Sequence, residues 1–391
     1  MTRRNAVRSL ASLLLLGAAS STVMAQNFEY TTSQGNLSQV RVTSALHANL
    51  QAYVANFPAA QDLRSAILDG LADVSHSDLA GRIEAHLAYD GSYGRADGHG
   101  THVAGIAGAS RNGSGIVGVA PTAKLLSIPV FDDYGWVAWD GGRAAFDRAQ
   151  SLGAKVVNMS YGSTLRGQTF LPGELDVIDD YRNSMVMVRA AGNQGATLSR
   201  IAYSGDASND LAHLLIVGSV NSRGTISSFS NRPGESCIAN STRCAADDKI
   251  KNFFIVAPGE RVLSDLPLNA WGMMSGTSMA APTVAGAAAL VFQDAYNGNT
   301  FLTPAQVAGI LKRSAKDLGI RGVDSIYGWG LLNVAAALGP VGPTRVATGG
   351  SVAASTARMD RSLLMPGAGM ARQSAFGGML SGMVVFDDYG R

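Results

Sequence analysis

Cysteine occurs only twice in the 391 residues, at Cys237 and Cys244, which is too few for a disulfide framework or a multi-thiolate zinc site. Charge is sparse and balanced. Charged residues make up 15% of the chain, 31 basic against 29 acidic, so no excess of one sign points to a nucleic-acid partner. No apolar run reaches the ~20 residues needed to span a membrane. Histidine is scarce and one-sided: His47, His76, His86, His99, His102 and His213 are followed by no other. The HExxH pattern of zinc proteases is missing, so His99 and His102, spaced i, i+3, do not make a metal pair of that kind. Glycine, by contrast, is plentiful. Its 46 copies show no fixed period, which reads as tight turns and close backbone approaches rather than collagen. A hydrophobic fraction of 46% is ample for a core and excludes wholesale disorder.

The ends differ from the middle. Arg3, Arg4 and Arg8 precede an apolar run from Leu10 to Ala19, and Val23-Met24-Ala25 supplies small residues for cleavage. That layout is a secretory signal peptide over residues 1–25, so the mature chain is expected to be secreted and to begin at Gln26. Its removal leaves 28 basic against 29 acidic residues, a near-neutral protein. Residues 26–62 read as an N-terminal extension or short pro-segment, polar apart from an amphipathic piece near Val42 to Phe57. Residues 63–340 read as the main domain, and residues 341–391 as a tail rich in Gly, Ala and Met.

Within the main domain, short apolar runs alternate with helix-like segments. Strands are expected at Leu63–Leu68, Ala123–Phe131, Ala154–Ser160, Ser184–Ala190, Leu214–Ser219 and Phe253–Ala257. Helices are expected at Thr101–Ala109, Gly142–Leu152 and Thr283–Tyr296, with a further one capped by Thr303, opened by Pro304 and closed by Gly319. The alternation predicts an α/β fold, a mostly parallel twisted sheet with helices on both faces. Active groups in such sheets gather beyond the C-terminal ends of the strands.

Three glycine-flanked motifs carry chemistry: Asp97-Gly98-His99-Gly100-Thr101-His102-Val103-Ala104-Gly105, Ala191-Gly192-Asn193-Gln194-Gly195, and Gly276-Thr277-Ser278-Met279-Ala280-Ala281-Pro282. Upstream, Asp69 ends the apolar run Ile67-Leu68-Asp69. A serine hydroxyl is a poor nucleophile until an imidazole takes its proton, and a carboxylate must hold that imidazole in the right tautomer. A serine at a helix start also aims its own N–H at a developing oxyanion, and an asparagine amide can supply a second donor. GTSMA nearly spells a lipase elbow, but an esterase of that kind needs a histidine after its serine, and none follows Ser278.

With these motifs the chain resembles the subtilisin-like serine proteases, the subtilase family. HGTHVAG from His99, AAGNQG around Asn193 and GTSMAAP around Ser278 match family signatures, and Val156 to Gly162 resembles the substrate-aligning strand. Tyr327-Gly328-Trp329-Gly330 resembles a late family segment, so the likeness runs from about Leu63 to Leu338. It implies a three-layer subtilisin-like fold and a serine endopeptidase acting on protein or peptide substrates through an acyl-enzyme. It also implies Asp69 as acid, His99 as base, Ser278 as nucleophile, Asn193 as oxyanion donor, and Ser160, Tyr161 and Gly162 as substrate-binding residues. No organic cofactor is implied. Structural calcium is common in the family, but no ligands for it are readable here, nor is an oligomeric state.

One motif departs from the pattern. The family reads Asp-Thr/Ser-Gly, whereas this chain reads Asp69-Gly70-Leu71. The continuation Asp73-Val74-Ser75-His76-Ser77-Asp78-Leu79 keeps Asp69 in register, with Asp62, Asp73 and Asp97 as other acids in reach. The altered turn is the basis of an alternative, a pseudoprotease that serves as a binding protein. Cys237 and Cys244 bracket a polar loop and are expected to bridge in an exported protein. The ending from Met383 to Arg391 resembles the linker between an autotransporter protease and its barrel. The tail offers none of the alternating strands of a barrel, so outer-membrane anchoring is expected only of a longer product.

Overall fold

In a computed structural model of the chain, the described residues are 63–85, 96–131, 139–163, 165–239, 244–298, 300–343, 345–347, 356–358 and 385–389. The expected signal segment, the 26–62 extension with Asp62, and most of the tail lie outside them.

Seven strands form one parallel sheet: β1 (Arg64–Asp69), β2 (Ile83–Ala85), β3 (Lys124–Pro129), β4 (Ala154–Met159), β5 (Val186–Ala190), β6 (Leu214–Val220) and β7 (Phe254–Pro258). They read as near-continuous apolar runs because helices cover both faces. Successive side chains still alternate. Ala66 and Leu68 of β1 face Phe146 of α2 (Trp139–Ser151) and Leu175 and Ile178 of α3 (Glu174–Asp179). Ile67 faces the other way, onto Val103 and Ile106 of α1 (Gly98–Gly108). On that second face, Val188 and Leu215 meet Ala281, Val284 and Ala288 of α5 (Thr277–Asn297), with Val307 and Ile310 of α6 (Pro304–Arg313) beside them. The short helices α4 (Ala207–Asp210) and α7 (Val334–Ala337) complete the set among the described residues. The expected three-layer α/β fold is the observed one.

The strand order β2-β3-β1-β4-β5-β6-β7 positions the site. From β1 the chain runs to the edge strand β2, returns to β3 on one flank of β1, and then crosses to β4 on the other flank, from which β5, β6 and β7 run outward. β1 is therefore the topological switch, where a crevice opens past the C-terminal strand ends. Asp69 is the last residue of that strand.

Several boundaries differ from expectation for tertiary reasons. α5 begins at Thr277 rather than Thr283 and carries Pro282 inside it. α6 has the expected Thr303 capping box and Pro304 but stops at Arg313 rather than Gly319. Past Ser314 the chain is drawn into a bridge in which Lys316 and Leu331 exchange backbone hydrogen bonds of 2.7 and 2.8 Å. Gly319, at φ +77°, serves the following turn instead. The antiparallel hairpin of β8 (Val262–Leu266) and β9 (Ala270–Met274) has no clear apolar alternation in β9. Pro267, Leu268 and Asn269 form the three-residue loop between the paired Leu266 and Ala270, with Leu268 and Asn269 in the left-handed region at φ 65° and 55°.

A small antiparallel sheet of β10 (Arg345–Ala347), β11 (Thr356–Arg358) and β12 (Val385–Phe386) follows the domain. Directly after β12, Asp387 accepts from the Val341 N–H at 3.1 Å and Asp388 pairs with Arg313 of α6 at 2.6 Å. The stretch read as a linker thus lies against the main domain. Cys237 and Cys244 are bonded to each other, as expected.

Arg189 interrupts the apolar run of β5 and is fully buried. It forks onto both carboxylate oxygens of Glu174 at 2.8 and 3.0 Å, donates to the Thr169 carbonyl at 2.7 Å and lies 4.2 Å from the Tyr161 ring centroid. Removing one partner of a buried pair strands the other charge. Glu174→Ala should therefore cost about 3–5 kcal/mol in urea unfolding. A loss within ~0.5 kcal/mol, as for an ordinary surface change, would contradict the buried pairing.

Candidate active site

Asp69 leaves the sheet at the switch point and is 0% exposed. Its Oδ1 accepts from the Gly70 N–H at 2.7 Å and from His99 Nδ1 at 2.7 Å. Among the described residues its Oδ2 has no partner. Burial pushes the Asp69 carboxyl up, opposed by the charge and hydrogen bond of His99 and by the Gly70 N–H. Burial also disfavours the His99 imidazolium, but the neighbouring Asp69 and Asp97 carboxylates outweigh it and raise the His99 pKa above its ordinary value.

His99 is the second residue of α1, and Asp97 caps that helix by accepting from the His99 and Gly100 N–H groups at 3.1 and 3.0 Å. A Cβ built on Gly70 would overlap the Asp97 carboxylate, and one built on Gly100 would overlap the Gly70 carbonyl. The glycine that departs from the Asp-Thr/Ser-Gly pattern thus has a steric cause: Asp97 fills the space a hydroxyl side chain would take. Asp97 is a cap rather than the acid on His99 Nδ1. Asp73 is spent elsewhere, accepting from Ser75 N at 2.9 Å and from Leu268 N at 2.9 Å, and so anchors the β8–β9 turn. Of the three candidate acids among the described residues, Asp69 is the one hydrogen-bonded to the His99 ring; Asp62 lies outside them.

The start of α5 is open. Gly276 is its N-cap and offers no side chain, so the first N–H groups need outside partners. Asn193 supplies one, its Oδ1 accepting from Thr277 N at 2.8 Å and from Thr277 Oγ1 at 2.9 Å. That anchor leaves the Asn193 amide nitrogen facing Gly276. A Cβ built on Gly276 would lie 3.4 Å from Asn193 Nδ2 and 3.6 Å from the Ser278 nitrogen. The two nitrogens therefore border one small space that only a glycine leaves free. A helix N-terminus favours negative charge there.

Pro282 explains how Ser278 is held. A proline has no N–H, so the Ser278 carbonyl four residues back loses its helical partner. The Ser160 hydroxyl takes that place at 2.9 Å and itself accepts from Asn158 Nδ2 at 2.9 Å. In return the Ser278 hydroxyl donates to the Ser160 carbonyl at 3.1 Å, rather than to His99. Leu68 pairs with Met159 across β1 and β4, so Ser160 emerges beside Asp69 and brings Ser278 to the same crevice. Tyr161 is buried over Arg189, whereas Gly162 is exposed, and both lie past Met159, where β4 leaves the ladder with β5. A substrate here could meet only their backbone. His102 is buried, its Nε2 set between the Val262 and Gly272 carbonyls at 3.0 and 3.1 Å, a packing role that matches the sequence reading.

Sequence reasoning missed Asn231, which is fully buried. Its amide donates to the Ala191 carbonyl at 2.9 Å and to Gln194 Oε1 at 2.6 Å, and its Oδ1 accepts from Ala196 N at 3.0 Å. It therefore clamps the loop that presents Asn193. No local pattern around it announces that role. Among the described residues, two groups of three ionisable side chains converge within 4.8 Å: Asp69, Asp97 and His99, and His76, Asp78 and Asp265. Each group includes an imidazole, whereas calcium takes oxygen ligands, backbone carbonyls among them.

The profile of the subtilase family matches residues 63–330. The chain is 34% identical over 278 residues to subtilisin DY of Bacillus licheniformis, covering 71% of this chain and 90% of that one. It is 33% identical over 305 residues to subtilisin E of Bacillus subtilis (strain 168), covering 77% and 70%. Among solved structures, the prenylagaramide maturation protease PagA superposes with a TM-score of 0.58 at 25% identity, covering 74% of this chain and 97% of that one. The patellamide maturation protease PatA gives 0.57 at 28%, covering 72% and 97%. Motifs, sheet order and these relatives agree, and the chain belongs to the subtilase family of serine endopeptidases.

Proposed function

We propose that Asp69, His99 and Ser278 act as the triad of this endopeptidase, with Asn193 Nδ2 and the Ser278 N–H receiving the oxyanion. The observation that carries the reading is the 2.7 Å contact between the buried Asp69 carboxylate and His99 Nδ1, next to the open start of α5. With Nδ1–H donated to Asp69, the lone pair of the neutral ring lies on Nε2. The Ser278 hydroxyl turns from the Ser160 carbonyl to that nitrogen and attacks the substrate carbonyl carbon as Nε2 takes its proton. Negative charge then builds on the carbonyl oxygen, in the space bordered by Asn193 and Ser278. His99 returns the proton to the leaving amine, and water repeats the sequence to free the acyl group. The backbone of Ser160 to Gly162 is the proposed rail for an extended peptide. Nothing favours an inactive binding protein, because Gly70 has its own steric reason.

We also propose that residues 1–25 direct export and are removed, that 26–62 form an extension or pro-segment, and that 63–340 are the catalytic domain before the 341–391 tail. N-terminal sequencing of the exported protein should begin at Gln26; an intact Met1 would reject the leader.

Peptide hydrolysis near pH 8 tests the roles. Asp69→Asn should lose ~10⁴-fold in turnover, since an amide there favours the wrong tautomer. Ser278→Ala should lose at least as much, and the double variant no more than the worse single, because a triad acts as one unit. Asn193→Ala should lose about 10²–10³-fold as one oxyanion donor goes. A folded Asp69→Asn protein with unimpaired turnover would move the acid elsewhere.

A further inference from the structure

We propose that Thr169 closes the floor of the slot that takes the substrate side chain next to the scissile bond, so that this endopeptidase accepts only small, uncharged residues on the acyl side of the cut. The inference rests on the triad reading above, because that reading fixes where the attacked carbonyl lies.

β4 and β5 keep their ladder as far as the pair Met159 and Arg189, and there they part. Ser160 to Gly162 then line one side of the opening and Ala190 to Asn193 the other. Ser278 is tied to the first side through the Ser160 carbonyl, and Asn193 on the second side borders the oxyanion space. The residue whose carbonyl is attacked therefore sits over the gap, and its side chain enters between the two walls.

That gap is already occupied from below. Thr169 is 0% exposed and reaches both walls. Its hydroxyl donates to the Ala190 carbonyl at 2.7 Å, and a Cβ built on Gly162 would lie 3.5 Å from its carbonyl oxygen and 3.9 Å from its Oγ1. A second side chain crosses between the walls: Gln194 Nε2 donates to the Ser163 carbonyl at 3.1 Å, while Asn231 holds Gln194 Oε1 at 2.6 Å. The room left for a substrate side chain is short.

Thr169 is held too firmly to yield to a larger guest. Arg189 donates to its carbonyl from Nη2 at 2.7 Å and from Nε at 3.2 Å, and the same guanidinium forks onto Glu174. The Leu171 N–H donates to Glu174 Oε2 at 2.8 Å, so the segment from Thr169 to Glu174 is tied both to itself and to β5. Pushing Thr169 aside would strand the buried Arg189 donors and the Ala190 carbonyl without partners. A large side chain forced into a filled slot is unfavourable for the same reason as an overpacked core. Arg189 and Glu174 neutralise each other, so the floor offers no free charge to a charged side chain. A buried ion pair that takes no part in the chemistry thus acquires a role in selecting substrate.

The test uses the full chain and tetrapeptide substrates that differ only in the residue before the scissile bond: alanine, leucine, phenylalanine or lysine. From alanine to leucine kcat/KM should fall on the order of 100-fold or more, with phenylalanine and lysine no better than leucine. Thr169→Gly should open the slot and raise the leucine-to-alanine ratio about 10-fold or more. Thr169→Val keeps the bulk and loses the hydroxyl bond, so it should be less stable yet keep the preference for alanine. A wild type that cleaves the leucine or phenylalanine peptide within about 10-fold of the alanine peptide would overturn the proposal, whether or not Thr169→Gly folds. An unchanged profile in folded Thr169→Gly would overturn it as well. Failure of the triad reading looks different and would remove both: no peptide of the series is cleaved, and a fluorophosphonate leaves Ser278 unmodified.

Discussion

The arrangement depends on one awkward demand: a carboxylate must be held at the end of β1, fully buried from solvent. Burial alone would drive Asp69 toward its neutral form. The Gly70 N–H and the His99 ring oppose that, and in exchange the carboxylate raises the basicity of the ring. The neighbouring residues follow from this pairing. α1 must start within reach of β1, so Asp97 caps it there, and the close approach leaves room only for glycine at residues 70 and 100.

A second constraint sits at α5. Its start has neither a side-chain cap nor, because of Pro282, a helical partner for the Ser278 carbonyl. Two other parts of the chain complete it: Asn193 on the N–H side and Ser160 on the carbonyl side. Ser278 is thus fixed from both ends of its peptide unit while one N–H stays open beside Gly276. Asn231 makes that arrangement stiff by binding the loop of Asn193 at three points. The geometry comes from mutual satisfaction of buried polar groups, with small residues letting the backbones meet.

These two levels explain what could be read from the sequence. His99, Asn193 and Ser278 stand in contiguous motifs whose glycines and alanines record close packing, and the strands of a two-sided sheet stand out as apolar runs. Asp69 was readable by its place after Ile67 and Leu68, but its unusual neighbour was not, because the reason for Gly70 is Asp97, 27 positions later. Asn231 left no local trace for the same reason. β9 was hidden because its side chains are mostly at the surface, and the end of α6 because Leu331 captures Lys316 from a distance. Local pattern reveals what neighbours in sequence decide. Contacts between distant segments decide the rest.

The central claim is that the Asp69–His99 pair activates Ser278. The most direct measurement is the rate of Ser278 modification by a fluorophosphonate as a function of pH, with the adduct located by mass spectrometry. The account predicts a single adduct on Ser278. Its rate should fall with decreasing pH as His99 takes up a proton, with a midpoint above that of an ordinary imidazole because two carboxylates stabilise the charged ring. A folded protein left unmodified at Ser278, or modified at a rate independent of pH, would contradict it.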